Sequence, residues 1–318
     1  MAGRENSSIN RVTTVITFFK GSKSATFIMV LKRITENVFC ILGGEKKINT
    51  GFITGKNGIL MIDSTFSPDD AKQILKIIRS VTQKPIRYLF NTHYHSDHTF
   101  GNQVFSTKVV AHRECRNIMT KLLEREWSRD SIQRYVEENP EWKEKLNNLK
   151  ITLPDLVFDD KLEIDLGNLK VNLMHVGGHT KDSSIAHVTQ SKVLFAGDLI
   201  FQGRYPFMRD GNCQKWLLAL KNIRDLNFDV LIPGHGYICD KAEIKHHIDY
   251  FENLLENCKK FIQENLPADE IVKQKEFTKF ARRNVDRHEE NIRIVYGELI
   301  QSKNSPSSSG CGLSKSQK

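Results

Sequence analysis

The chain has 318 residues, 39% hydrophobic and 27% charged, which is enough apolar content for a sizeable core and too much for a disordered chain. No run approaches the roughly 18 apolar residues that span a bilayer, and the six cysteines, at 40, 115, 213, 239, 258 and 311, form neither a CxxC pair nor a dense framework, so they read as reduced thiols inside a cell. The net charge of +9 is dispersed: residues 1–28 set Arg4, Arg11, Lys20 and Lys23 against Glu5, residues 302–318 add Lys303, Lys315 and Lys318, and the body between keeps +3, too little for its size to predict a nucleic-acid partner.

Residues 1–28 are Ser/Thr-rich and nearly free of acids, as in a transit peptide, whereas Met29-Val30-Leu31 directly before the first strand looks equally like an internal start. Residues 32–63 read as strands, with alternation in Ile34 to Leu42 and Asn49 to Thr54. Ser67-Pro68 with acids behind it opens a helix over 68–80. Ile86-Arg87-Tyr88-Leu89-Phe90 is a buried strand, and Asn91 to Asn102, NTHYHSDHTFGN, is a strand-to-helix loop carrying His93, His95, Asp97 and His98. On leaving the strand, His93 and His95 can point to one side while Asp97 and His98 diverge toward a second point, which predicts two adjacent metal positions. Imidazole and carboxylate donors suit Zn²⁺ first, with Fe, Mn or Co as alternatives, and the absence of thiolate argues against a closed structural zinc site.

Residues 113–148 read as a charged helical stretch in which Met119, Leu122, Leu123 and Trp127 form a core stripe rather than a lid. Three more apolar strands each lead into a Gly-containing turn with one ligand: Leu169 to His175 into Gly177-Gly178-His179, Lys192 to Phe195 into Ala196-Gly197-Asp198, and Asp229 to Ile232 into Pro233-Gly234-His235-Gly236. The stretch Leu199 to Asn212 leaves Asp198 with Phe201, Tyr205, Phe207 and Met208 beside Arg204 and Arg209. Arg204 and Tyr205 are the candidate substrate residues, against the plainer reading that the aromatics pack beneath the loop and the arginines are solvated. Residues 240–301 form helices burying Tyr250, Phe251, Leu254, Leu255 and Phe261, and Ser305 to Gly310 lacks the apolar content to fold. His112, His175, His187, His246, His247 and His288 are read as structural or surface residues.

Taken in order, HxHxDH, His179, Asp198 and His235 resemble the metallo-β-lactamase superfamily over about residues 31 to 300, in its glyoxalase II-like branch, with Leu60-Met61-Ile62-Asp63 similar to the strand whose acid supports the metal loop. The resemblance implies an α/β fold, a four-layer αβ/βα sandwich, in a domain over 29–301 flanked by an N-terminal extension (1–28) and a disordered tail (302–318). It implies that His93, His95 and His179 hold one Zn²⁺, that Asp97, His98 and His235 hold a second, with Fe or Mn as alternatives, and that Asp198 bridges them. Two cations sharing a water lower its pKa from 15.7 toward about 7, which implies a hydrolase in which a bridging hydroxide attacks an ester-like bond of a small substrate, with Asp97 and Asp198 as catalytic residues.

Within that resemblance, a bridging carboxylate implies a thioesterase, a lactonase or a tRNA-processing nuclease rather than a true β-lactamase. His95 argues against the flavodiiron oxidoreductases, and the 37-position step from Asp198 to His235 leaves no room for the insertion of a cleavage-factor nuclease. No residue matches the glutathione-binding region of glyoxalase II. A mononuclear iron persulfide dioxygenase is the runner-up, followed by β-lactamase or phosphodiesterase activity and by a noncatalytic member that binds nucleic acid through its basic ends. A cytoplasmic location is expected, or a mitochondrial one if residues 1–28 are a transit peptide.

Overall fold

The computed structural model describes residues 13–19, 28–43, 48–146, 148–279 and 285–304; Cys311 and the expectations for the tail beyond 304 lie outside the described residues. The first half runs β1 (Thr13–Phe19), β2 (Ile28–Arg33), β3 (Val38–Gly43), β4 (Thr50–Gly55), β5 (Gly58–Ile62), α1 (Pro68–Val81), β6 (Ile86–Phe90), α2 (Ser96–Thr99), β7 (Lys108–His112), α3 (Arg113–Leu123), α4 (Arg129–Glu138), α5 (Lys143–Leu146) and β8 (Leu156–Phe158). The second half runs β9 (Lys161–Asp165), β10 (Lys170–His175), β11 (Ser184–Val188), β12 (Val193–Phe201), α6 (Cys213–Arg224), β13 (Val230–His235), α7 (Lys241–Gln263), α8 (Ala268–Ile271) and α9 (Val285–Asn304). The strands form one sheet in the order β1 to β8 and a second in the order β13-β12-β11-β10-β9. β1, inside the N-terminal extension 1–28, pairs antiparallel with β2; residues 1–12 and 20–27, on which the transit-peptide expectation also rests, lie outside the described residues.

The layering follows from side-chain alternation along the strands. Leu60 and Ile62 of β5, Ile53 of β4 and Val38 and Cys40 of β3 point inward, onto Val193 and Phe195 of β12 and Val171 and Leu173 of β10. Their neighbours Ile59, Met61, Phe52, Phe39 and Ile41 face outward and are covered by Ala71, Ile74, Ile77 and Ile78 of α1. This helix starts as its sequence predicts: Ser67 Oγ accepts the amide of Asp70 at 3.1 Å, with Pro68 in the first turn. On the far side, α6, α7 and α9 cover the second sheet around the fully buried Trp216, whose indole N–H donates to the carbonyl of Leu199 at 3.1 Å. Two sheets face to face with helices outside make the expected αβ/βα sandwich.

Strand pairs β5-β6, β6-β7 and β7-β8 are parallel in the first sheet and β12-β13 in the second. Parallel strands gather the loops after their carboxyl ends at one edge, and the ligand-bearing segments lie there. Two boundaries differ from the sequence reading. β12 continues through Asp198 to Phe201, with register shifts on both sides of Gly197, which sits at φ +51°, so Asp198 projects from an irregular strand instead of a turn. The helical stretch 113–148 is three helices, because α3 ends at Leu123 and the chain turns before Ser128 caps α4. Met119 is core, but Leu122 and Trp127 reach a cleft.

Among the described residues no helix is long and apolar enough to cross a membrane, and Cys40, Cys115, Cys213, Cys239 and Cys258 are buried free thiols.

Candidate metal centre

The loop from Asn91 to Asn102 is fastened at both ends. Asn102 Nδ2 donates to Asn91 Oδ1 at 2.8 Å and Asn91 Nδ2 donates back to Asn102 Oδ1 at 3.1 Å, while Ser64 Oγ and Asn91 Nδ2 both donate to the carbonyl of His98. Asp63, at the end of β5 with φ +54°, supports the loop from below. Its Oδ1 accepts the Thr92 amide at 2.8 Å, and its Oδ2 accepts the Thr92 hydroxyl at 2.8 Å and faces His98 Nδ1 at 2.9 Å.

The loop brings its ligand-type side chains to those of the second sheet in two groups. His93, His95, His179 and Asp198 form one, and Asp97, His98 and His235 the other; within each, the candidate ligand atoms all lie within 4.8 Å of one another. Asp198 faces both: Oδ2 lies 3.9 Å from His93 Nε2, 3.6 Å from His179 Nε2 and 3.3 Å from His235 Nε2, and Oδ1 lies 3.2 Å from His98 Nε2. All seven residues expected to bind metal are thus brought together.

The second nitrogens of these rings show that they are aimed. His93 Nδ1 pairs with the Thr92 hydroxyl at 3.0 Å, His98 Nδ1 with Asp63, and His179 Nδ1 with the carbonyl of Phe207 at 3.0 Å, leaving Nε2 of each for the centre. His95 is reversed: its Nε2 pairs with Asp210 Oδ2 at 3.1 Å, and its Nδ1 points inward, 3.0 Å from His93 Nε2 and 3.1 Å from His179 Nε2. Such outer partners fix tautomer and ring orientation in metal sites. The donor set also fits divalent cations on its unmet needs, since buried His98 Nε2 and Asp198 Oδ1 face each other without a hydrogen-bond partner, where a buried polar atom normally has one.

Without cations the cluster splits electrostatically. Burial, reinforced by His98 and His95, holds His93 well below its ordinary pKa, and burial with His95 pushes His179 down to about 3. Burial opposes charge on His98 and His235 as well, but Asp198, Asp63 and Asp97 outweigh it at His98, raising it well above its ordinary value, and Asp198 with Asp97 outweighs it at His235, raising it to about 9. Burial would raise Asp198 too, yet His235 and His98 hold it well below the carboxylate range.

A cleft of about 580 Å³ opens over the centre, lined by Asp97, Asp198 and His235, by Phe66, Trp127, Phe201 and Phe207, and by Arg204 and Arg287. Arg204 thus lines this cleft. Tyr205 is turned away: it is 3% exposed, its ring stacks on His288 at 4.6 Å, and it packs in the helical layer, where an apolar ring gains more than at the rim.

Three residues that the sequence did not flag shape the site. Asn49 braces the turn that carries His235, its amide donating to the carbonyl of Gly234 and its side chain to those of Pro233 and Gly236. Asp210 orients His95, and Arg287 enters from α9. Each is a lone polar residue far in sequence from what it serves, and only Asp210, inside the stretch following Asp198, lay near a sequence signal.

The sequence model of the metallo-beta-lactamase superfamily matches residues 43–235. The chain is 22% identical over 256 residues to the linear primary-alkylsulfatase of Pseudomonas sp., covering 70% of this chain and 48% of that protein. It is 30% identical over 158 residues to the acyl-coenzyme A thioesterase MBLAC2 of Bos taurus, covering 45% of this chain and 54% of that protein. The chain thus spans about half the length of each of these relatives. A solved metallo-beta-lactamase from Pontibacter korlensis superposes with a TM-score of 0.56 at 19% identity, over 71% of this chain and 99% of that one, which shows the fold.

Proposed function

Since the chain belongs to the metallo-beta-lactamase superfamily, we propose that it is a metal-dependent hydrolase with two zinc ions, acting on an ester-like bond, thioester or lactone, of a small substrate. The observation that carries this reading is Asp198, whose Oδ2 faces His93, His179 and His235 and whose Oδ1 faces His98, so that one carboxylate meets both groups. A second cluster built from Asp97, His98 and His235 has the ligands for a second cation, which supports hydrolysis; a single-iron persulfide oxygenase keeps the same His and Asp residues, and metal analysis separates the two. When bound, the cations supply Lewis acidity and acidify a water.

The chain's own residues do the rest. Asp198 holds the two groups in register. Asp97 is partly open to the cleft and 3.5 Å from His235 Nε2; burial would raise its pKa, but His98 and His235 hold it well below the carboxylate range, so as a carboxylate it would orient the attacking water or relay a proton to the leaving group. Phe66, Trp127 and Phe207 form an apolar wall, and Arg204 brings a cation to the same cleft, where it would orient an anionic or carbonyl-bearing substrate. The thioesterase likeness supports the ester-like class. A panel of thioesters, lactones, β-lactams and phosphodiesters, with metal content measured on the same sample, tests the reading; turnover confined to phosphodiesters or β-lactams would reject the substrate class.

A further inference from the structure

Arg204 leaves β12 just beyond Asp198, and Arg287 lies in the first turn of α9, 83 positions later; the fold brings both into the cleft over the metal centre. Arg287 is half-buried. Its guanidinium lies 5.2 Å from the centroid of Phe207, which also has Arg209 at 5.6 Å on its ring, and the carbonyl of Phe207 holds His179. Among the described residues neither Arg204 nor Arg287 has a carboxylate within ion-pair distance. Of the acids in or beside the cleft, Glu290 is engaged by Arg209 and Asp210 by His95, Asp97 and Asp198 belong to the metal cluster, and Glu126 lines the cleft without an ion pair to either arginine. Burial opposes the charge on Arg287 most; Glu290 eases it in part, and Arg204 and Arg209 oppose it further. A guanidinium stays protonated even so, leaving two cations in one cleft that no carboxylate among the described residues pairs with.

The placement of Arg287 is braced. Asn291, one turn along α9, is fully buried and donates to the carbonyl of Pro206 at 2.9 Å and to Tyr250 Oη at 3.1 Å. His288 stacks on Tyr205 and pairs with Tyr250 Oη and the carbonyl of Phe277. Tyr205 thereby serves the cleft indirectly, by anchoring the helix that carries Arg287.

We propose that Arg287 and Arg204 form an anion-binding corner of this cleft, so that the substrate carries, besides its hydrolysed bond, a separate oxyanion group such as a carboxylate, sulfate or phosphate. The inference rests on the hydrolase reading for its bond and on the two arginines for its anion. Guanidinium donors grip such groups through paired hydrogen bonds, and the apolar wall holds the carbon skeleton between.

The test compares 4-nitrophenyl butyrate with mono-4-nitrophenyl glutarate on the zinc-loaded full chain, in wild type, Arg287→Ala and Arg204→Ala. Calorimetry of glutarate against butyrate runs alongside. The wild type should prefer the anionic ester in kcat/KM, and each variant should lose that preference by about 10- to 100-fold, the worth of a charged hydrogen bond. The glutarate-to-butyrate affinity ratio should fall with it at unchanged metal content. A preference equal to wild type in both variants would overturn the proposal. Should the wild type cleave neither ester, the hydrolase reading fails, and the calorimetric ratio alone decides the anion site: collapse in the variants supports it and persistence rejects it. If one variant loses metal, the other, on a separate element, decides between these outcomes.

Discussion

Asp63→Asn is close to isosteric, and its consequence for the metal centre follows from three hydrogen bonds. The carboxylate accepts from the Thr92 amide, the Thr92 hydroxyl and His98 Nδ1 at 2.8, 2.8 and 2.9 Å, so when the ring gives up a proton to take a cation it keeps the one on Nδ1 and frees Nε2. An amide cannot accept at both ends. With its oxygen toward the Thr92 amide, its NH₂ faces His98 Nδ1 and favours the tautomer protonated on Nε2, which cannot bind a cation. Turned over, it sets a donor against the buried Thr92 amide, at about 1–3 kcal/mol. Asn tolerates the positive φ of Asp63, so backbone strain does not confound the change. The expected outcome is a 10- to 100-fold weaker second cation, roughly 1.4–2.7 kcal/mol, with the first unchanged. Titration of the metal-free protein with Zn²⁺ in a competing chelator, with stoichiometry checked by elemental analysis, measures this. Two sites of wild-type affinity would refute the tautomer argument.

Gly234→Ala should cost about a hundredfold in kcat/KM, because a Cβ there would lie 1.9 Å from Asp198 Oδ1 and 2.8 Å from the backbone of Gly197; steady-state kinetics beside metal content checks it. Cation uptake at the second cluster should release protons at pH 7, since His98 and His235 are charged in the metal-free chain, His235 up to about 9. Its affinity should therefore climb as pH rises toward 9, while the first cluster, with His179 held at about 3 and His93 also low, should change little near neutrality; calorimetry in buffers of different ionisation enthalpy counts the protons. Asp97→Asn should lower turnover by about a hundredfold or more even at saturating zinc, and a near wild-type rate there would remove Asp97 from both metal binding and proton transfer.

The sequence made the centre legible because its ligands follow short apolar strands, and a strand end fixes both position and direction. HxHxDH after Leu89-Phe90, His179 after β10, and Asp198 and His235 on adjacent parallel strands all reached the same edge, and Asp63 lay beneath them. The helix 68–80 was visible through Ser67-Pro68, and the sandwich through alternation in β3 to β5. Tertiary context decided what remained. Gly197 lets β12 run on through Asp198 instead of ending there. Leu122, in the last turn of α3, and Trp127, in the turn that follows and packed against the core as well, share helical spacing with Met119 yet both line the cleft, and spacing alone cannot tell an apolar residue against the core from one against a ligand. Arg287, Asp210 and Asn49 act only through folding, which joins segments about 83, 115 and 184 residues apart, and no local pattern marks them.

Turnover of a thioester by metal-free chain, followed as Zn²⁺ is added in known equivalents, tests the central claim most directly. Two cations held on either side of Asp198 predict that the rate rises to its plateau at two equivalents per chain. No turnover at any zinc content, or an activity that saturates at one equivalent of iron with consumption of oxygen, would contradict it.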